Sequence, residues 1–153
     1  MNFEQQIKLW LEQGKIKKQE SRKDQIEALI KRAQKDIEVS RLNLEIDYDT
    51  AFSTAYNSML KAGRAFMLSK GYRTDDGAQH KTTVDFCSFF LDGETNKLTK
   101  TFDRMRRIRN IIAYDPFDYA GFEKDDVISA IESAEKFVKV IEKLLRLSLW
   151  DLS

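Results

Sequence analysis

A long apolar repeat at helical spacing, in the C-terminal part of the chain, most constrains how the protein can fold. Between positions 127 and 145, apolar side chains recur at alternating steps of four and three residues. This spacing is typical of helices that pack lengthwise in a bundle, and it predicts a last helix from Lys124 to about Trp150. The repeating residues are Val127, Ile131, Ala134, Val138, Ile141 and Leu145.

Two earlier segments show a similar periodicity. From about Ser21, apolar residues recur every three or four positions as far as Ile37, which predicts a long helix facing the core. Asp47 or Asp49 then offers an N-cap for a second helix, which is expected to end at Gly71. Small residues at positions 51, 55, 62, 63 and 65 of this helix would let another helix approach it closely.

The middle of the chain supplies two more helices. A short apolar helix is predicted to start at Thr82 or Thr83, after a polar loop, and the next to run from about Asn96 to Tyr114, where Pro116 ends it. Only one proline and six glycines are present, which disfavours a turn-rich β-fold. The four longer helices, with short connections, predict an all-α fold, an up-and-down four-helix bundle.

The N-terminal segment is predicted to be separate from the bundle. Its apolar residues have helical spacing, which indicates a short amphipathic helix ending at Gly14. Residues 15–23 are polar and basic, and we interpret them as a linker. The predicted division is therefore an N-terminal helix with a basic linker at 1–20 and a helical bundle at 21–150. The apolar positions are Phe3, Ile7, Trp10 and Leu11.

Composition excludes several classes of protein. Lysine and arginine total 26 against 25 acidic residues, so no overall charge excess drives the chain toward nucleic acid or an anionic membrane. Cys87 and His80 are the single cysteine and the single histidine, which excludes an internal disulfide and a His/Cys zinc site. We therefore expect no metal and no cofactor. Without a signal peptide or an apolar span, a cytoplasmic protein without membrane contact is expected.

The segment from 101 to 116 is the most informative for function. Its apolar residues form one arc of a helix, and Arg109 projects within that arc. Arg106, Asn110 and Tyr114 form a second row at a spacing of four, which suits a phosphate or a nucleobase. The alternative is structural, with Arg109 paired to a carboxylate in the bundle and Tyr114 packed with a hydrogen-bonded hydroxyl.

These four residues form the run Arg-x-x-Arg-Asn-x-x-x-Tyr, which resembles the signature of HEPN domains, the higher eukaryotes and prokaryotes nucleotide-binding superfamily. The stretch 55–65, the Lys-Gly-Tyr-Arg of 70–73, the His-Lys-Thr of 80–82 and the Ala-Glu-Lys-Phe-Val of 134–138 are similar to small prokaryotic HEPN proteins in the same order. The resemblance extends over about residues 21–148. It does not explain the first twenty residues.

The resemblance implies a homodimer in which the arginine-bearing helices of two protomers meet at a cleft. HEPN ribonucleases carry arginine, four residues and then histidine, and they promote attack of the 2′-hydroxyl of RNA on the adjacent phosphate without a metal. Tyr114 stands at the position of that histidine here. A tyrosine with a pKa near 10 is ionised only about one part in a thousand at pH 7, so it is a poor resting base.

Other polar residues are candidates for the same cleft. Tyr56 and Lys61 lie on the second predicted helix, although Tyr56 has the spacing of a packed residue, and His80 could reach a cleft or act only as a loop or capping residue. Asp47 and Asp49 could pair with the arginines or simply cap a helix. Cys87 lies on an apolar helix face and is interpreted as a core residue.

Three functions remain open from the sequence. The first is binding of a nucleotide, an RNA phosphate or a partner group at a dimer cleft, with Arg106, Arg109, Asn110 and Tyr114 as ligand-binding residues. In this setting the resemblance implies a prokaryotic protein that acts beside a small nucleotidyltransferase, either as toxin and antitoxin or as its substrate-binding companion. The second is a metal-independent endoribonuclease using Arg109 with Tyr114 or His80. The third is a helical interaction module without catalysis.

Overall fold

A computed structural model describes residues 1–115 and 121–150, with side chains described as far as residue 146. Over these residues the protein contains six α-helices and two short strands. The helices are α1 (Phe3–Glu12), α2 (Lys23–Asn43), α3 (Tyr48–Ser69), α4 (Gln79–Phe90), α5 (Gly93–Tyr114) and α6 (Lys124–Trp150). The strands are β1 (Ile16–Lys18) and β2 (Tyr72–Thr74). The predicted all-α class is confirmed.

The central helix of the bundle is α3, which packs against α2, α4, α5 and α6. Its small residues allow this, because the alanines at 51, 55, 62 and 65 are fully buried. At Gly63 a β-carbon would lie 2.8 Å from Cγ2 of Thr83, so only glycine fits the approach of α4. The close approach predicted from the small residues is therefore confirmed.

The segment predicted as a polar linker is in part a strand. Residues 16–18 form β1, which pairs with β2 in an antiparallel two-stranded sheet, with Ile16 opposite Thr74. Ile16 is buried in the core, and Lys17 forms an ion pair with Asp75 across the sheet. The polar pattern at 15–23 did not predict this strand, because the strand is stabilised by a single buried side chain and by backbone pairing with β2.

The N-terminal helix packs on α4. Trp10 is buried and stacks with Phe86 at a centroid separation of 5.7 Å, and Phe3 stacks with Phe90 at 4.7 Å. The predicted amphipathic helix is confirmed, although it ends at Glu12 with Gln13 as its C-cap. Gly14 follows with φ +70°, a left-handed conformation that glycine adopts without strain.

Two predicted helix starts need correction. The helix α4 begins at Gln79, not at Thr82 or Thr83, and both threonines are buried inside it. The hydroxyl of Thr83 donates to the carbonyl of Gln79 one turn earlier, so it bonds within the helix instead of capping it. The helix α5 begins at Gly93, three residues before the predicted start. Pro116, predicted to end α5, lies outside the described residues.

Two negative observations apply to the described part of the chain. No described helix is long and apolar enough to cross a lipid bilayer. Likewise, no group of three or more histidine, cysteine or acidic side chains within the described residues has an arrangement that could hold a metal ion.

Candidate functional site

Burial decreases along α5 towards its C-terminal end. Phe102 and Met105 are buried, Ile108 and Ile112 pack partly against the core, and Tyr114 is 78% exposed. The apolar arc predicted for this helix is therefore fully buried only as far as Met105 and partly buried beyond it. Its last two turns carry the candidate binding residues at the edge of the bundle, where a ligand in solution can reach them.

The row predicted at a spacing of four lies on this edge. The guanidinium carbon of Arg109 is 6.0 Å from the centre of the Tyr114 ring, and its Nη1 is 3.5 Å from the side-chain oxygen of Asn110. Within the described residues, no ion pair joins Arg109 to a carboxylate. The structural alternative, in which Arg109 pairs with a carboxylate of the bundle, is therefore not seen among the described residues.

Arg106 has a carboxylate partner on its own helix. Its Nε and Nη2 donate to one oxygen of Asp103 at 3.1 and 3.0 Å, while the exposed Arg107 contacts the other oxygen at 3.2 Å. The Arg106 side chain is only 15% exposed. One carboxylate is thus shared between two guanidiniums, which leaves a net positive charge at this point of α5.

A tyrosine and a histidine lie beside these arginines. The hydroxyl of Tyr56, a fully buried residue of α3, is 2.9 Å from Nδ1 of His80 in the first turn of α4. The two residues are 24 positions apart in the chain, and only the packing of α4 on α3 joins them. Sequence reasoning named both as cleft candidates but could not place them together.

The electrostatics of this pair reveal a third arginine. Burial lowers the pKa of His80, and the positive charges of Arg109, Arg64 and Arg106 lower it further. Burial raises the pKa of Tyr56 to about 12, although the same three guanidiniums act in the opposite direction. We call Arg64, Arg106 and Arg109 the arginine cluster. Because all three charges act on both residues, the arginine cluster lies near the contact between Tyr56 and His80.

Sequence reasoning did not select Arg64 as a site residue. It is partly buried on α3, and no ion pair with it is found among the described residues. Its signal in the sequence is that it interrupts the apolar run from Ala62 to Met67 with a single cation. This is the same kind of signal that identified Arg109 on α5.

Three of the predicted cleft residues make their described contacts elsewhere. Lys61 forms an ion pair with the buried Asp36 of α2. Asp47 caps α3, accepting from the backbone of Asp49 and from the hydroxyl of Thr50. Asp47 and Asp49 line a groove at the α2–α3 turn together with Phe122. Among the described residues, the carboxylate that pairs with Arg106 is Asp103 of its own helix and not Asp47.

Cys87 is a core residue, as the sequence indicated. Its thiol is fully buried against α3, and burial raises its pKa to about 12. A thiol in this state is neutral at physiological pH and is not a nucleophile.

Comparison with known proteins agrees with the all-α fold. The family model described as the HEPN domain matches residues 26–144, which include all three arginines, Tyr56, His80 and Tyr114. A search of curated proteins gives no match. The family match extends over most of the chain and agrees with the resemblance seen in the sequence, so this chain belongs to the HEPN domain family.

Proposed function

We propose that this protein binds a phosphate group of RNA or of a nucleotide at the arginine cluster. The observation that carries the proposal is the charge imbalance of the site. Arg64 and Arg109 have no carboxylate partner within the described residues, and Arg106 shares Asp103 with Arg107. Partly buried guanidiniums are costly without an anion, and phosphate accepts their forked donors well.

An exposed aromatic ring next to the cluster fits a nucleic-acid ligand. Tyr114 is 78% exposed and lies beside Arg109, with Asn110 between them in the sequence. A base can stack on such a ring while the neighbouring arginine holds the phosphate, and stacking does not require a particular base. Asn110 would then offer an amide to a base edge or a sugar.

Binding of a fluorescein-labelled single-stranded RNA, followed by fluorescence anisotropy, tests this proposal. Arg109→Ala is expected to weaken binding by about tenfold or more. It should also reduce the slope of log affinity against log salt concentration by about one. Arg104→Ala is the matched control, because Arg104 is exposed on the same helix and lines a different groove with Ser129 and Ser133. Equal weakening by both substitutions would contradict a specific site.

The position of His80 favours a second candidate function, a metal-independent endoribonuclease. Tyr114 stands where the sequence pattern of the family has a histidine. On α4, however, the imidazole of His80 lies close enough to Arg109 for that charge to lower its pKa. Attack of a 2′-hydroxyl on the adjacent phosphate would give a 2′,3′-cyclic phosphate and a free 5′-hydroxyl. Cleavage products carrying these ends, absent with Arg109→Ala or His80→Asn, would support this function. Cleavage unaffected by either substitution would exclude it.

We further propose a homodimer and, following the family resemblance, a nucleotidyltransferase partner in a prokaryotic toxin–antitoxin setting. Ile111 is 41% exposed on the same part of α5 as Tyr114, which supports a contact between copies near the cluster. Light scattering after size-exclusion chromatography should give the mass of a dimer for the wild-type protein. The Ile111→Asp variant should give a lower mass. Loss of the dimer in Arg109→Ala, with no RNA binding by either protein, would instead favour the interaction module.

A further inference from the structure

The contact between Tyr56 and His80 determines which nitrogen of the imidazole carries a proton. The phenol of Tyr56 is fully buried and stays protonated over the whole physiological range. A neutral imidazole has one nitrogen that donates and one that accepts. Nδ1 of His80, at 2.9 Å, is the one hydrogen-bond partner of this buried hydroxyl among the described residues, so the phenol proton needs it as acceptor, and the tyrosine is the donor. The proton of neutral His80 is therefore on Nε2.

The other nitrogen remains available to a ligand. Within the described residues, Nδ1 has Tyr56 as its partner and Nε2 has no hydrogen-bond partner. His80 is partly exposed at the start of α4, so a ligand can approach its side chain from solvent. The charged groups that act on the imidazole are Arg64 from α3 and both Arg106 and Arg109 from α5, with Asp103 paired to Arg106. On α4 itself, Lys81 is paired with Asp85.

We propose that Tyr56 is a positioning residue that holds His80 with its Nε2–H free to donate to an oxygen of a phosphate bound at the arginine cluster. Neutral His80 then acts as a hydrogen-bond donor, and it does not act as a base in its resting state. This inference rests on the proposed function, because it requires a phosphate at the cluster.

The proposal links binding to proton uptake. Without a ligand, burial and three guanidiniums oppose the charged imidazolium. A bound phosphate neutralises part of that positive charge and accepts from Nε2, so it favours the protonated form. When His80 takes up a proton, Nδ1 becomes a donor and the hydroxyl of Tyr56 can accept from it. Affinity for the phosphate should therefore increase as the pH falls through the titration of His80.

His80 is the single histidine of the chain, which makes a direct test practical. An untagged protein labelled with ¹⁵N-histidine gives the nitrogen signals of one imidazole, whose chemical shifts report the tautomer and the pKa. Neutral His80 in the free protein should show a protonated Nε2 and a bare Nδ1. A bare Nε2 would overturn the proposal. In Tyr56→Phe the tautomers should become mixed, since the phenol that selects them is gone and the ring is kept.

A second experiment adds a 2′-O-methylated tetranucleotide as the ligand. Its phosphodiesters do not titrate near neutral pH, and it cannot be cleaved by 2′-hydroxyl attack. Its binding should raise the pKa of His80. Retained binding with an unchanged His80 pKa would overturn the donor role and leave the proposed function standing. Absence of binding to the wild-type protein would overturn both.

Two substitutions of His80 test the roles of its two ring nitrogens separately. His80→Gln places an amide N–H near the position of Nε2, whereas His80→Asn offers its amide near Nδ1. Affinity for the tetranucleotide should stay within about twofold in the first and fall about tenfold in the second, equivalent to about 1.4 kcal/mol. Equal losses in the two variants, with unchanged melting temperatures, would contradict donation from Nε2.

Discussion

The hydroxyl of Tyr56 lies 2.9 Å from Nδ1 of His80, and this contact connects the middle of α3 to the first turn of α4. Tyr56 also packs against Phe102 of α5, with ring centres 5.7 Å apart. One buried side chain of α3 thus touches the two other helices that carry the candidate site, α4 and α5. The geometry of the site is therefore coupled to the packing of the core.

Stability should fall on mild acidification because of His80. Its folded-state pKa is lowered by burial first and by the arginine cluster second, so the unfolded chain binds more protons below the ordinary histidine pKa of about 6.5. The stability contribution is present above that pH and is lost as the pH falls towards the folded-state pKa. Urea unfolding between about pH 7 and 5 should show this slope, and His80→Gln should reduce it. An equal slope in both proteins would contradict the assignment.

Stability should also fall in alkali because of Tyr56. Its folded-state pKa is about 12, above the ordinary value for tyrosine of 10.0, so the unfolded chain loses a proton first. The free energy of unfolding should decrease as the pH rises from about 10 towards 12. In an absorbance titration of phenolate, one tyrosine should ionise late. Tyr56→Phe should remove that late step, and its persistence would show that another tyrosine produces it.

Gly63→Ala should destabilise the protein by about 1–3 kcal/mol, because the added methyl would overlap Cγ2 of the buried Thr83. Thr83→Ser removes that carbon and keeps the hydroxyl that bonds to Gln79. The double variant should therefore recover part of the loss in thermal or urea unfolding. Additive losses would mean that the contact is not the cause.

Trp10→Ala should cost about 3–5 kcal/mol, the usual range for removing a buried large aromatic side chain. Trp10 is buried and packs on Phe86 and Phe89, although it belongs to the segment predicted as a separate appendage. Phe3→Ala is the control on the same helix, since Phe3 is 56% exposed and should cost much less. Similar urea midpoints for wild type and Trp10→Ala would indicate that α1 contributes little to the folded state.

Cys87 should be unreactive in the native protein. The thiol is fully buried and its pKa is raised to about 12, so both access and ionisation are blocked. Modification by a disulfide reagent should follow the rate of unfolding and accelerate with urea. Rapid labelling of the native protein, at the rate of a free thiol, would contradict this burial.

The periodic segments were predictable because their signal is local. Four-and-three spacing in the last helix and small residues in α3 determine which faces are buried, and the structure confirms both. The cap of α3 at Asp47 was among the alternatives for the same reason. The start of α4 and the strand β1 were missed, because the buried side of Thr83 and the pairing of Ile16 with Thr74 depend on contacts distant in the sequence.

The sequence by itself determined an all-helical chain, a HEPN resemblance and a basic row on α5, because helical periodicity and motif spacing are carried by neighbouring residues. Only the tertiary structure decided the composition of the site. Packing of α4 and α5 against α3 brings Arg64, His80 and Tyr56 to Arg109, and it leaves Lys61 with Asp36. The physical reason is that charge and hydrogen bonding act through space, over distances that chain separation does not encode.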